Sequence, residues 1–153
     1  MIKTTVIAKN RGHLDELIYL EVKSQGHSCS LNHIDVSQVT NMASLFQNST
    51  FQGDISEWNT SNVLNMAFMF ACSTFNGNIS KWNVCNVQSM ESMFLSSHFN
   101  NDISNWSTSN VIYMKSMFKG SRCHGDLSAW EVHHAVDINS FFNPTTLDEY
   151  HVP

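Results

Sequence analysis

The stretch at 55–70, ISEWNTSNVLNMAFMF, is written again from Ile79 as ISKWNVCNVQSMESMF and a third time from Ile103 as ISNWSTSNVIYMKSMF. In register, the copies place Trp58, Trp82, Trp106 and Trp130 in one column, Met66, Met90 and Met114 in a second, and Phe70, Phe94, Phe118 and Phe142 in a third. A fixed period of this length is the signature of a stacked repeat, in which one short unit cannot bury its apolar face alone and leans on its neighbours. The pattern constrains architecture tightly and says little about what is bound.

With 153 residues the chain has room for one continuous core. Charged residues make up 14%, against roughly 25% in ordinary domains, and Ser, Asn and Thr take their place, as suits a fold rich in turns. Thirteen acidic against eight basic residues give a net charge of −5, which argues against binding nucleic acid through its phosphates. Mimicry of nucleic acid by an acidic surface is weakened by Lys81, Lys115, Lys119 and Arg122, which interrupt any acidic stripe. The opening MIKTTVIAKNRGHL has too short an apolar patch for a signal-peptide core. No apolar run reaches the roughly 18 residues of a membrane span. Cys29, Cys72, Cys85 and Cys123 show no CxxC spacing, so free thiols in a reducing cytoplasm are expected.

Along the chain, Thr4 to Ala8 is β-prone and fits an edge or cover strand. From about Gly12, Leu14, Leu17, Ile18 and Val22 fall at helical spacing, with Asp15 and Glu16 in the first turn, Lys23 in the last and Gly26 beyond it. This helix is expected to cap the open end of the stack, so that residues 1–30 form an N-terminal strand and capping helix. Repeats fill 31–142, about four and a half of them: Leu31, Ile34, Val36 and Val39 already occupy the columns of Ile55, Trp58, Thr60 and Val63. Ile138, Phe141 and Phe142 hold the columns of Met66, Met69 and Phe70 before Asn143-Pro144 breaks the pattern. Residues 143–153 read as a C-terminal cap or tail.

Inside a unit, Val63, Met66, Met69 and Phe70 form one apolar face of about two helical turns, with Ser61 and Ser109 as N-caps. Ile55 to Asn59, after a turn at Gly53, reads as a short strand that pairs with its equivalents at roughly 4.8 Å per coil. The fold class expected is therefore an α/β repeat solenoid, with one short strand and one short helical segment in every repeat. Asn62, Asn86 and Asn110 are expected to satisfy turn carbonyls, and Asp54, Asp102 and Asp126, with Asn78 between them, to cap turns.

The unit GDISxWNxSNVxxMxxMFxxSxF resembles the repeat of the BspA-type leucine-rich-repeat proteins, bacterial proteins often described as surface proteins. The resemblance runs from about Leu31 to Phe142, and the lead-in SLNHIDVSQVTNMASLF resembles that family's usual entry. It implies a right-handed solenoid that binds proteins or host surfaces and carries no catalytic residues. The chain departs from longer members in showing no secretion signal, lipid-attachment Cys or cell-wall anchor.

Eight histidines are scattered over different columns, without HxxxH or HxH spacing, so no metal site and no cofactor are expected. Only Cys123, His124 and His98 would come near one another, and Cys123 replaces the Phe of the Phe51, Phe75 and Phe99 column as a core filler. No nucleophile elbow, zinc-protease motif or phosphate loop is present, and no enzyme activity is expected. Positions where a column changes character are more informative. Leu64, Phe68, Leu95, Ile112 and Tyr113 lie outside the framework that accounts for the core, and exposed apolar groups of this kind mark partner surfaces. The expected function is a non-catalytic, intracellular solenoid that binds and inhibits or modulates a protein, of mobile-element or viral origin. Self-association is a second partner class, and a surface adhesin exported by another route is the alternative.

Overall fold

The computed structural model describes residues 4–141; Phe142, the Asn143-Pro144 break and the tail lie outside the described residues. Strand β1 (Val6–Ile7) pairs in parallel with β2 (Ile34–Asp35), Val6 opposite Ile34 and Ile7 opposite Asp35. The N-terminal run thus joins the first coil of the repeat. Between them lies helix α1 (Arg11–Gln25). Asn10 caps it by accepting from the His13 N–H at 3.0 Å, and Gly26, at φ 85°, ends it by donating to the Val22 carbonyl. The helix begins before Gly12, so Asp15 falls beyond the first turn, where Arg11 Nε donates to both its oxygens at 2.9 Å. Leu14 is fully buried, and Leu17, Ile18 and Val22 rest on the core. The Arg11 guanidinium donates to the Ala43 carbonyl, and His33 Nε2 lies 3.2 Å from Glu21.

Beyond the helix, each repeat unit is hydrogen-bonded in parallel to the next. Bridges run Asn41 to Asn65, Ser89, Tyr113 and Asp137, and a separate one joins Ser30 to Asp54. The N–H groups of Met66, Phe68, Phe70 and Cys72 donate to the carbonyls of Ser89, Glu91, Met93 and Leu95. Alternating with them, Met69, Ala71 and Ser73 donate three residues back, to Met66, Phe68 and Phe70. The chain crosses into the left-handed region at Phe68 (φ 58°) and Cys72 (φ 55°), and again at the matching positions Ser44, Asn48, Ser92, Ser96, Ser116 and Ser140.

Two expectations are corrected by this pattern. The two-turn helical segment after Val63 is absent, because half of its N–H groups reach the neighbouring coil and left-handed residues recur within it; an α-helix needs those groups for its own carbonyls four residues back. Ser61 is no N-cap, and its own N–H donates to Asn59 Oδ1 at 3.2 Å. The Ile55–Asn59 segment is a turn rather than a strand, with Trp58 N–H bonded to the Ile55 carbonyl. Among the described residues the only helix is α1 and the only named strands are β1 and β2.

Where the strand was expected, the tryptophans join the coils. The indole N–H groups of Trp58, Trp82, Trp106 and Trp130 donate to the carbonyls of Leu31, Ile55, Ile79 and Ile103 at 3.0, 3.0, 3.2 and 3.1 Å. Behind them the rings of Phe46, Phe70, Phe94 and Phe118 stack at centroid spacings of 5.6, 5.7 and 5.5 Å. Cys123 is buried in the Phe51, Phe75 and Phe99 column, and burial pushes its thiol up. Gly53 sits so close to the preceding coil that a Cβ there would lie 1.9 Å from the Cys29 carbonyl oxygen.

Polar ladders tie the outside of the stack. Asn62, Asn86 and Asn110 donate from Nδ2 to the carbonyls of Ser37, Ser61 and Cys85 at 2.8, 2.7 and 2.7 Å. Asp54, Asn78, Asp102 and Asp126 each accept from the N–H two residues on, closing one Asx turn per coil.

Candidate protein-binding face

The column that begins at Thr40 continues as Leu64, Gln88, Ile112 and Val136. Val63 and Val111 are buried just before it, so the following side chains turn outward. Their backbone is held in place by one bond per coil. The N–H groups of Leu64, Gln88, Ile112 and Val136 donate to the carbonyls of Thr40, Leu64, Gln88 and Ile112 at 2.8, 2.8, 2.8 and 2.9 Å. Leu64 is 44% exposed and Val136 77% exposed, whereas Ile112 is half-buried.

These side chains line a shallow groove of about 620 Å³, walled by Asn86, Asn110 and His134. The Asn Nδ2 groups are spent on carbonyls of the preceding coil, and their Oδ1 atoms take no donor among the described residues. No carboxylate, Lys or Arg lines the groove. Its chemistry is that of a surface with apolar side chains and amide acceptors, to which Ser109 adds a hydroxyl and His134 an imidazole.

Of the five residues singled out from the sequence, Leu64 and Ile112 meet in the groove. Tyr113, half exposed, follows Ile112 in the bridging column. Phe68 and Leu95 do not join them, and both are partly buried. Phe68 stands in the left-handed column otherwise held by Ser44, Ser92, Ser116 and Ser140. The serine pattern there therefore has a backbone cause, since a short side chain is tolerated at positive φ better than a bulky one. Sequence reasoning missed Val136, although its position one full repeat after Ile112 is the signal for it.

Two other recesses flank the stack. One of about 580 Å³ lies between α1 and the first coil, lined by Ile18, Tyr19, Val22, Leu45 and Phe51, and Lys23 Nζ sits 5.5 Å from the Tyr19 ring centroid. A polar recess of about 300 Å³ is formed by Gln52, Thr74, Asn76, His98 and Arg122. Among the described residues no three His, Cys, Asp or Glu side chains gather as a metal site would require, and no helix is long and apolar enough to cross a membrane. None of the four cysteines is in a disulfide.

No curated protein and no solved structure shows significant similarity to the chain. A family model described as "Mycoplasma protein of unknown function, DUF285" matches residues 20–122 and 71–150. The two matches overlap and together span most of the sequence, including every repeat with a Trp, so the chain belongs to the DUF285 family.

Proposed function

We propose that this chain is a non-catalytic protein-binding module: a short leucine-rich-repeat-like solenoid of the BspA type that holds a protein partner and inhibits or modulates it. The observation that carries this reading is the outward column of Leu64, Ile112 and Val136 in a single groove. Apolar side chains here are not needed for the core, which is filled by the Trp, Met and Phe columns. Their backbone is fixed coil by coil, so a partner meets a preorganised surface and little ordering cost opposes binding. The net charge of −5 disfavours nucleic acid as that partner. Four cysteines outside disulfides support the cytoplasm as the compartment. A right-handed coil is the expected hand of such a stack.

The test is affinity capture from a lysate of the native host. One protein is expected to co-purify with the wild-type chain, and the double variant Leu64→Asp, Val136→Asp, at the two exposed positions of the groove, is expected to lose it while its melting temperature stays within a few degrees, since surface changes usually cost under about 0.5 kcal/mol. Phe68→Asp, outside the groove, should keep the partner. Undiminished capture by the double variant would remove the groove as the binding face.

A further inference from the structure

We propose that the polar recess on the flank of the stack binds a phosphate group, as the free ion or as a phosphate monoester. The recess, of about 300 Å³, is lined by Gln52, Thr74, Asn76, His98 and Arg122 and shares no residue with the Leu64–Val136 groove. Thr74, His98 and Arg122 hold the same position in three successive coils. Their backbone N–H groups donate to the carbonyls of Ser49, Ser73 and Ser97 at 3.1, 3.0 and 3.2 Å. One bond per coil thus sets a hydroxyl, an imidazole and a guanidinium one above another.

The hydrogen bonds already made decide what each remaining group can offer a ligand. Asn76 Oδ1 accepts from the Asn100 backbone N–H at 2.8 Å and from Asn101 Nδ2 at 3.4 Å. A backbone N–H can only donate, so the oxygen of this amide is committed and its Nδ2 donor is left over. Thr74 Oγ1 accepts from Gln52 Nε2 at 3.3 Å, which leaves the hydroxyl proton to donate. Neither the His98 ring nor the Arg122 guanidinium has a hydrogen-bond or ion-pair partner among the described residues. The chain has one other arginine, Arg11, and that one is spent on Asp15 and the Ala43 carbonyl. No carboxylate lines the recess among the described residues, so a cation and several neutral donors share one space without an anion of the protein's own.

Such a set selects a ligand whose outer atoms all accept. The guanidinium fork alone suits a carboxylate and a phosphate alike. The donors of Thr74 and Asn76, two coils before Arg122, favour phosphate, because its terminal oxygens spread tetrahedrally and accept from several directions. Coils follow one another at about 4.8 Å, so the anion rests at the level of His98. From there the long Arg122 side chain reaches it on one side and Thr74 and Asn76 on the other, while Gln52 holds the Thr74 hydroxyl in place.

An amide NMR titration of the full chain at fixed pH and ionic strength tests the site. Inorganic phosphate is expected to give saturable shifts centred on Thr74, Asn76, His98 and Arg122, chloride none, and acetate binding about tenfold weaker than phosphate. Arg122→Gln should weaken phosphate binding about tenfold. Asn76→Asp, which keeps the acceptor for the Asn100 N–H and replaces the donor with a negative charge, should abolish it. Lys81→Gln removes the same charge from an exposed side chain elsewhere and should leave the affinity unchanged. Phosphoserine binding more tightly than inorganic phosphate upholds the site as one for a monoester, and the reverse order as one for the free ion. Shifts that do not saturate, acetate that binds as well as phosphate, or a Lys81→Gln loss equal to that of Arg122→Gln would each overturn the proposal.

Discussion

Trp82 shows how much of this fold rests on single side chains. Its ring lies 6.2 Å from that of Trp58, and its indole N–H reaches the carbonyl of Ile55 in the preceding coil. Ile55 is buried, and its carbonyl accepts two donors, this indole at 3.0 Å and the Trp58 N–H of its own turn at 3.3 Å. A hydrogen bond of this kind contributes about 0.5–1.5 kcal/mol net. Trp82→Phe keeps an aromatic ring in the column, deletes the cross-coil donor and removes buried ring area, so it should lower stability by about 1–3 kcal/mol in urea unfolding. A change under about 0.5 kcal/mol would mean that the indole bonds do not hold the coils together. The repeated Trp is apparent in the sequence; its role as a cross-coil donor is not, because the accepting carbonyl belongs to a distant part of the chain, in the coil before.

At the scale of the element, the Asx turn closes each coil and carries a charge that reports on folding. The Ser104 backbone N–H, with the Ser104 hydroxyl second, holds the Asp102 carboxyl below its ordinary value of 3.8, and Ser37 does the same for Asp35. A carboxylate with a depressed folded pKa contributes stability that is complete above the unfolded pKa and is lost as pH falls through the folded one. Urea midpoints should therefore drop as the solution is acidified below about pH 4, and the slope should flatten in the double variant Asp35→Asn, Asp102→Asn. Asn78 already performs the Asp102 turn without charge, and Asn59 the Asp35 turn, so that variant should remain folded at neutral pH. An unchanged acid slope would exclude these turns as its source. The Asx column is readable because Asp or Asn recurs two residues before Ser. The segment after Val63 reads as helical because i, i+3, i+7 spacing also describes a chain whose alternate N–H groups leave for a neighbouring coil.

For the whole molecule, stability is a property of neighbours. Phe94 stacks on Phe70 and Phe118 and packs against Phe99 at 4.3 Å, so its removal weakens two coil interfaces at once. Phe94→Ala is expected to cost about 3–5 kcal/mol, a large part of the roughly 5–15 kcal/mol typical of a domain. Stacked repeats communicate through nearest-neighbour contacts, so the loss should appear as one cooperative transition at lower urea. Separate unfolding of the two halves of the stack would show that the interfaces are independent. The exposed Leu64–Val136 column also belongs to this scale, for it is defined by what successive coils leave uncovered.

The sequence alone determined the period, the columns, the capping helix and the degenerate first coil, because stacking requires the same side chain at the same depth in every unit. It also marked Leu64 and Ile112 as residues the core does not need. Only the tertiary structure decided where the hydrogen bonds go. The parallel bridges fall at Asn65, Ser89 and Tyr113 and not at Ile55 to Asn59, and the serines that share a column with Phe68 owe their place to a left-handed backbone. The difference is physical: side-chain burial repeats along the chain and can be read from it, whereas a backbone donor looks the same in every residue until its acceptor, in the next coil, is in place.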